Sequence, residues 1–134
     1  MAIFAWKDEY RVDEARIDSQ HKRLFEIAGR LYEAMQAGEG HRAMAPILDE
    51  LIAYTRTHFG NEESLMQASA YPGFAAHRAE HEGLTERVLE FRRRFGEGQV
   101  ALTVEMLHFL KDWLVRHIAE SDRRFGGWLR VKTA

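Results

Sequence analysis

The chain has 134 residues, a formal net charge of -2 and a hydrophobic share of 46%, the proportions of one folded domain rather than a disordered segment. A pI near 6.4 argues against a nucleic-acid surface, and no apolar run approaches the roughly 20 residues that span a bilayer. The absence of cysteine removes disulfides and thiolate ligands, so any metal must be held by nitrogen and oxygen.

The N-terminal M-A-I-F-A-W-K-D-E lacks the basic and apolar regions of a signal peptide, so a cytoplasmic protein is expected. Residues 1–17 show no sustained period and read as an arm, anchored by Phe4 and Trp6. Asp18 or Ser19 is expected to cap a first helix, whose stripe runs Ile17, His21, Leu24, Phe25, Ala28, Leu31, Tyr32 and Met35. The turn A-G-E-G ends it near Gly38. A second helix starts between His41 and Ala45, because Pro46 is tolerated only near a helix start, and runs to about Gln67. The third, about Gly73 to Phe95, turns Phe74, His77, His81, Leu84, Val88, Phe91 and Phe95 inward. The fourth, about Gln99 to Ile118, does the same with Leu102, Met106, Phe109, Leu110, Trp113 and His117. The tail R-F-G-G-W-L-R, with two glycines, reads as a short turn or frayed helix. The expected fold is all-α: an up-down-up-down antiparallel four-helix bundle over about 18–119, with the N-terminal arm and a short C-terminal segment, 120–134, in one domain.

Histidines stand on the inner face of every helix: His21, His58, His77 with His81, and His117. A lone histidine on an apolar stripe is more often a hydrogen-bonded core residue than a ligand. Five of them would need five sets of partners in a core that offers few, whereas a shared cation takes all their lone pairs at once. Glu62 lies one turn beyond His58 on the same face; a buried ion pair or a metal would offset the burial of that pair. Asp122 lies five residues beyond His117, about 140° away on a regular helix. The helix must therefore end near His117 or widen into a π-type turn for both to serve one site. Glu63 is expected to be a surface acid, and His41 and His108 ordinary residues. Five imidazoles and two carboxylates suit two ions bridged by the carboxylates, with a vacant position, and this thiolate-free set fits iron better than manganese, zinc or copper.

Four motifs, I-D-S-Q-H ending at His21, H-F-G-N-E-E from His58, H-R-A-E-H from His77 and W-L-V-R-H-I-A-E-S-D from Trp113 to Asp122, together resemble the hemerythrins, specifically the single-domain bacteriohemerythrins. The resemblance covers nearly the whole chain. It implies two iron ions with a bridging oxo or hydroxo group, one ion held by His77, His81 and His58, the other by His21 and His117, with Glu62 and Asp122 bridging. It implies reversible O2 binding at the ion with two histidines, in a non-enzymatic carrier or store. Trp113 and Leu114 match positions that border the O2 pocket, and Leu24 and Phe25 are expected to complete its dry wall. Leu114 is the expected lid. An O2 or redox sensor and a di-iron enzyme consuming peroxide or nitric oxide are the rival functions. The expected partner is O2, with a protein recipient left open; no nucleic acid or membrane is expected, and the chain is expected to be a monomer.

Overall fold

Four long helices follow the apolar stripes. The structure, a computed structural model, describes residues 4–12, 14–38, 41–98 and 102–133. Helix α1 is Ala15–Gln36, α2 His41–Ala68, α3 Phe74–Gly96 and α4 Leu102–His117; a π segment, Ile118–Asp122, follows, and then α5, Arg123–Thr133. Each of α1, α2 and α3 packs against the next, and α4 returns to α1, so the four close an antiparallel up-down-up-down bundle. There is no strand among the described residues, and no described helix is long and apolar enough to cross a membrane. Gln99 and the side chains of His41 and Leu102, which the sequence assigned to helix starts and the inner stripe, lie outside the described residues.

The start of α1 differs from expectation. Glu14, not Asp18 or Ser19, is the N-cap, its carboxylate accepting from the Ile17 amide at 2.8 Å. Asp18 is instead buried within the first turn and accepts from the Val12 amide at 2.8 Å, folding the arm back onto the helix. The arm carries a 3-10 turn at Asp8–Tyr10, and its rings meet Phe25 edge-on: Phe4 at 6.3 Å, Trp6 at 5.6 Å and Tyr10 at 5.2 Å between centroids. At the other end of α1, Gly38 has φ +71°, the left-handed conformation that ends a helix at no steric cost.

The tail is a regular helix of 11 residues rather than a short turn or frayed end. Its side chains explain why two glycines do not break it. Phe125 is fully buried, and it and Trp128, three residues on, both pack on Tyr71, at 4.8 and 5.1 Å. Gly126 is needed where it stands: a Cβ there would lie 2.5 Å from the Val12 carbonyl oxygen. Tertiary contact with the arm thus outweighs the propensity cost of glycine, about 1 kcal/mol per residue.

Candidate metal centre

Antiparallel packing brings the start of α1, the end of α2, the start of α3 and the end of α4 to one level. His21, His58, Glu62, His77, His81, His117 and Asp122 meet there, each no more than 4% exposed. The π segment makes this set possible. One widened turn from Ile118 to Asp122 restores to Asp122 the inward direction that His117 already has.

Three outer contacts aim the imidazoles. His58 Nδ1 donates to the Gln20 amide oxygen at 2.6 Å, His81 Nδ1 to Glu63 at 2.8 Å and His117 Nδ1 to Glu80 at 3.0 Å. Ser121 Oγ, inside the π segment, donates to the same Glu80 carboxylate at 2.7 and 2.9 Å. With the proton on Nδ1, each Nε2 presents a lone pair to the centre. His81 Nε2 faces His117 Nε2 at 3.1 Å. His77 Nε2 lies 2.6 Å from Glu62 and 2.8 Å from Asp122, and His21 Nε2 lies 3.0 Å from Asp122. Yet the Nε2 atoms of His21 and His77 and all four carboxylate oxygens of Glu62 and Asp122 make no directed hydrogen bond. Buried polar atoms are normally satisfied, so donors that aim at a common point instead of at each other fit a shared cation.

The donors fall into two groups: Glu62, His77, His81, His117 and Asp122, and His21, His58, Glu62 and Asp122. Both carboxylates belong to both groups, the arrangement of bridges. This corrects the division implied by the sequence resemblance. His117 sits with His77 and His81, its ring 4.6 Å from His77 and 4.9 Å from His81, and His58 sits with His21 at 4.7 Å. The reason is topological: α1 touches both α2 and α4, so a sequence allows His21 either neighbour, and the packing selects α2.

A family model described as the Hemerythrin HHE cation binding domain matches residues 13–129. The chain belongs to the hemerythrin family. It is 36% identical to a bacteriohemerythrin of Stenotrophomonas maltophilia, over 98% of this chain and 84% of that one. With a bacteriohemerythrin of Methylococcus capsulatus it shares 34% identity, over 94% of this chain and 96% of the relative. A crystal structure of wild-type hemerythrin superposes with TM-score 0.84 at 33% identity, covering 92% of this chain and 95% of that chain. A leucine-to-alanine mutant of a hemerythrin superposes with TM-score 0.87 at 32% identity, covering 95% and 97%.

Burial and the neighbouring charges set the protonation of this hemerythrin site. Burial, then the neighbouring His21, holds His58 well below the ordinary imidazole value, so its ring is neutral. Burial also pulls on His77, but the adjoining Asp122 and Glu62 carboxylates outweigh it and raise the ring to about 9. His117 is raised against burial in the same way by Asp122. Burial would raise Asp122, but His117 and the other imidazoles around it hold it well below the usual carboxylate range.

Other expectations fare unevenly. Leu24 and Leu114 are buried. Phe25 is buried too, and its ring also packs in the aromatic cluster that holds the arm. Trp113 stacks on His117 at 4.4 Å and 16°, and lines a surface cleft of about 310 Å³ with Glu80, Arg116 and Glu120. It thus covers the ring of His117, in the three-histidine group. His108 is exposed, as expected. Glu63 is not a free surface acid: it is partly buried against His81. Gln20, Glu80, Ser121 and Phe59, which stacks on His81 at 3.8 Å and 1°, were not legible as site residues. A signal did exist. Gln20, Glu63 and Glu80 each adjoin a donor in sequence, and each serves a histidine on the next helix.

Proposed function

We propose that the chain holds two iron ions, with His77, His81 and His117 on one, His21 and His58 on the other, and Glu62 and Asp122 bridging beside an oxo or hydroxo group. Its function is reversible binding of O2 as a carrier or store, at the ion held by two histidines. The observation that carries this is the unequal donor set: five protein groups converge on one position and four on the other. The poorer position keeps more of its coordination sphere open for a small neutral ligand. Iron supplies the reversible electron donation that O2 binding requires. Similarity to proteins named bacteriohemerythrins supports the choice of metal and ligand.

The chain's own part is to aim the imidazoles and keep water out. Leu24 and Leu114, both buried, are the residues we assign to the dry wall, and Leu114 to its lid. The decisive experiment is the visible spectrum of the iron-loaded, reduced protein before air, in air and again under argon. A charge-transfer band that appears and then disappears is expected. Failure of the band to reverse, with turnover of peroxide or nitric oxide by the reduced form, would replace the carrier by a di-iron enzyme. Within the carrier function, Leu114→Asn is expected to speed decay of the oxygenated band in air while iron content stays unchanged. Equal decay rates would leave Leu114 as core packing alone.

A further inference from the structure

The three contacts that aim the imidazoles differ in charge. His81 and His117, in the three-histidine group, each donate to a carboxylate, Glu63 and Glu80. His58, in the two-histidine group, donates to the neutral amide of Gln20, and the buried Nδ1 of His21 meets no partner among the described residues. A carboxylate that accepts from Nδ1–H draws the proton toward itself and makes Nε2 a stronger donor to a cation. An amide does this much less, because it carries no charge. Phe59 stacks on His81 and Trp113 on His117, while Phe59 meets His58 only at a tilt, 5.8 Å between centroids. The ring of His21 meets His58 edge-on.

The contacts also form a sequence around the bundle. Gln20 reaches from α1 to α2, Glu63 from α2 to α3 and Glu80 from α3 to α4. Each holder sits beside a donor of its own helix, so one imidazole's orientation is tied to its neighbour helix's placement. Glu80 does more than hold His117. Through Ser121 it also grips the π segment that presents Asp122.

We propose that Glu63 and Glu80, set against Gln20, are positioning residues that make the two iron positions unequal in retention, so that the ion at His21 and His58 leaves first and the ion at His77, His81 and His117 stays. The proposal rests on the di-iron function above. Ligand count alone also favours the three-histidine position, so the test must isolate the outer charges. Glutamine in place of glutamate keeps an acceptor oxygen at Nδ1 and removes only the charge; Gln20→Glu does the reverse.

The experiment is anaerobic iron release from the reduced, loaded protein into an excess of a coloured ferrous chelator, with Mössbauer spectra of partly depleted samples. Two phases of one iron each are expected, with one quadrupole doublet lost in each phase. Glu63→Gln is expected to accelerate the slow phase about tenfold or more and leave the fast phase alone, the range seen for outer partners of metal ligands, and Glu80→Gln to accelerate the slow phase at least as much. Gln20→Glu is expected to slow the fast phase by a similar factor, about tenfold. A purely structural role for these side chains predicts no change from the isosteric swaps. Release in one phase, or swaps that leave both rates unchanged while circular dichroism shows an intact bundle, would overturn the proposal and leave the di-iron function standing. A chain that takes up no iron at all would overturn both.

Discussion

The two ends of the bundle are built from opposite materials. The end away from the donors is hydrocarbon: Leu31, Met44, Leu48, Val88, Phe91, Phe95, Met106, Leu107 and Leu110 are all buried there. The other end buries Asp18, His21, Thr55, His58, Glu62, His77, His81, His117, Ser121 and Asp122. Each large apolar side chain in the first set contributes about 1.5–3 kcal/mol on burial, whatever the metal content. The second set costs free energy wherever its polar atoms lack partners, and several of them do. One end therefore holds the helices together, and the other gathers donor atoms that the fold itself leaves without hydrogen-bond partners. The unpartnered polar atoms at the site are tolerated because stability is supplied elsewhere in the molecule.

The sharpest way to break this contrast is to remove a donor. His77→Ala or Glu62→Ala is expected to lower iron content below two per chain by elemental analysis, while His108→Ala leaves it unchanged. Loss of iron in the His108 variant would show that the exposed histidine had been wrongly separated from the site.

The next largest effect belongs to the apolar end. Leu48→Ala is expected to cost about 2–5 kcal/mol in denaturant unfolding, by the same amount in metal-free and iron-loaded protein, with iron content intact. A cost that depended on iron would mean the two ends are coupled.

Acidity separates the ends in a third way. In the metal-free protein His77 is raised to about 9, above its unfolded value near 6.5. Its contribution to stability is present in full below pH about 6.5 and is lost as pH rises toward about 9. His117, also raised, adds in the same direction. His58, lowered, acts oppositely: it favours the fold above pH about 6.5 and is lost as a stabilising term below it. Unfolding midpoints of the metal-free protein are expected to fall between pH about 6.5 and 9, and iron loading, which displaces these protons, should flatten that slope. Leu48→Ala should shift the whole curve without changing its shape.

The smallest expected effect tests the collar around the polar end. Gly126→Ala places a methyl group against the Val12 carbonyl and is expected to cost about 1–3 kcal/mol. Because Val12 is also tied to Asp18, three residues before His21, the arm should become the first site of proteolysis. Unchanged proteolysis and an unchanged thermal midpoint would detach the arm from the site's support.

The sequence by itself determined which side chains leave each helix toward the axis. Helical periodicity sets direction about the helix axis, and it put His21, His58, Glu62, His77, His81 and His117 on inner faces. The same arithmetic required a break or widened turn before Asp122, and the π segment supplies it. Tertiary structure alone decided which inward groups meet. Whether His21 joins His58 or His117 depends on the rotation, height and hand with which the helices pack, and none of these is written in a period of 3.6 residues. For the same reason Gln20, Glu63 and Glu80 are ordinary polar neighbours of donors in sequence. They become holders of His58, His81 and His117 only when the next helix lies alongside. The tail shows the same division: its glycines argue against a helix locally, but Phe125 and Trp128 find Tyr71, and Gly126 finds Val12, only in the folded chain.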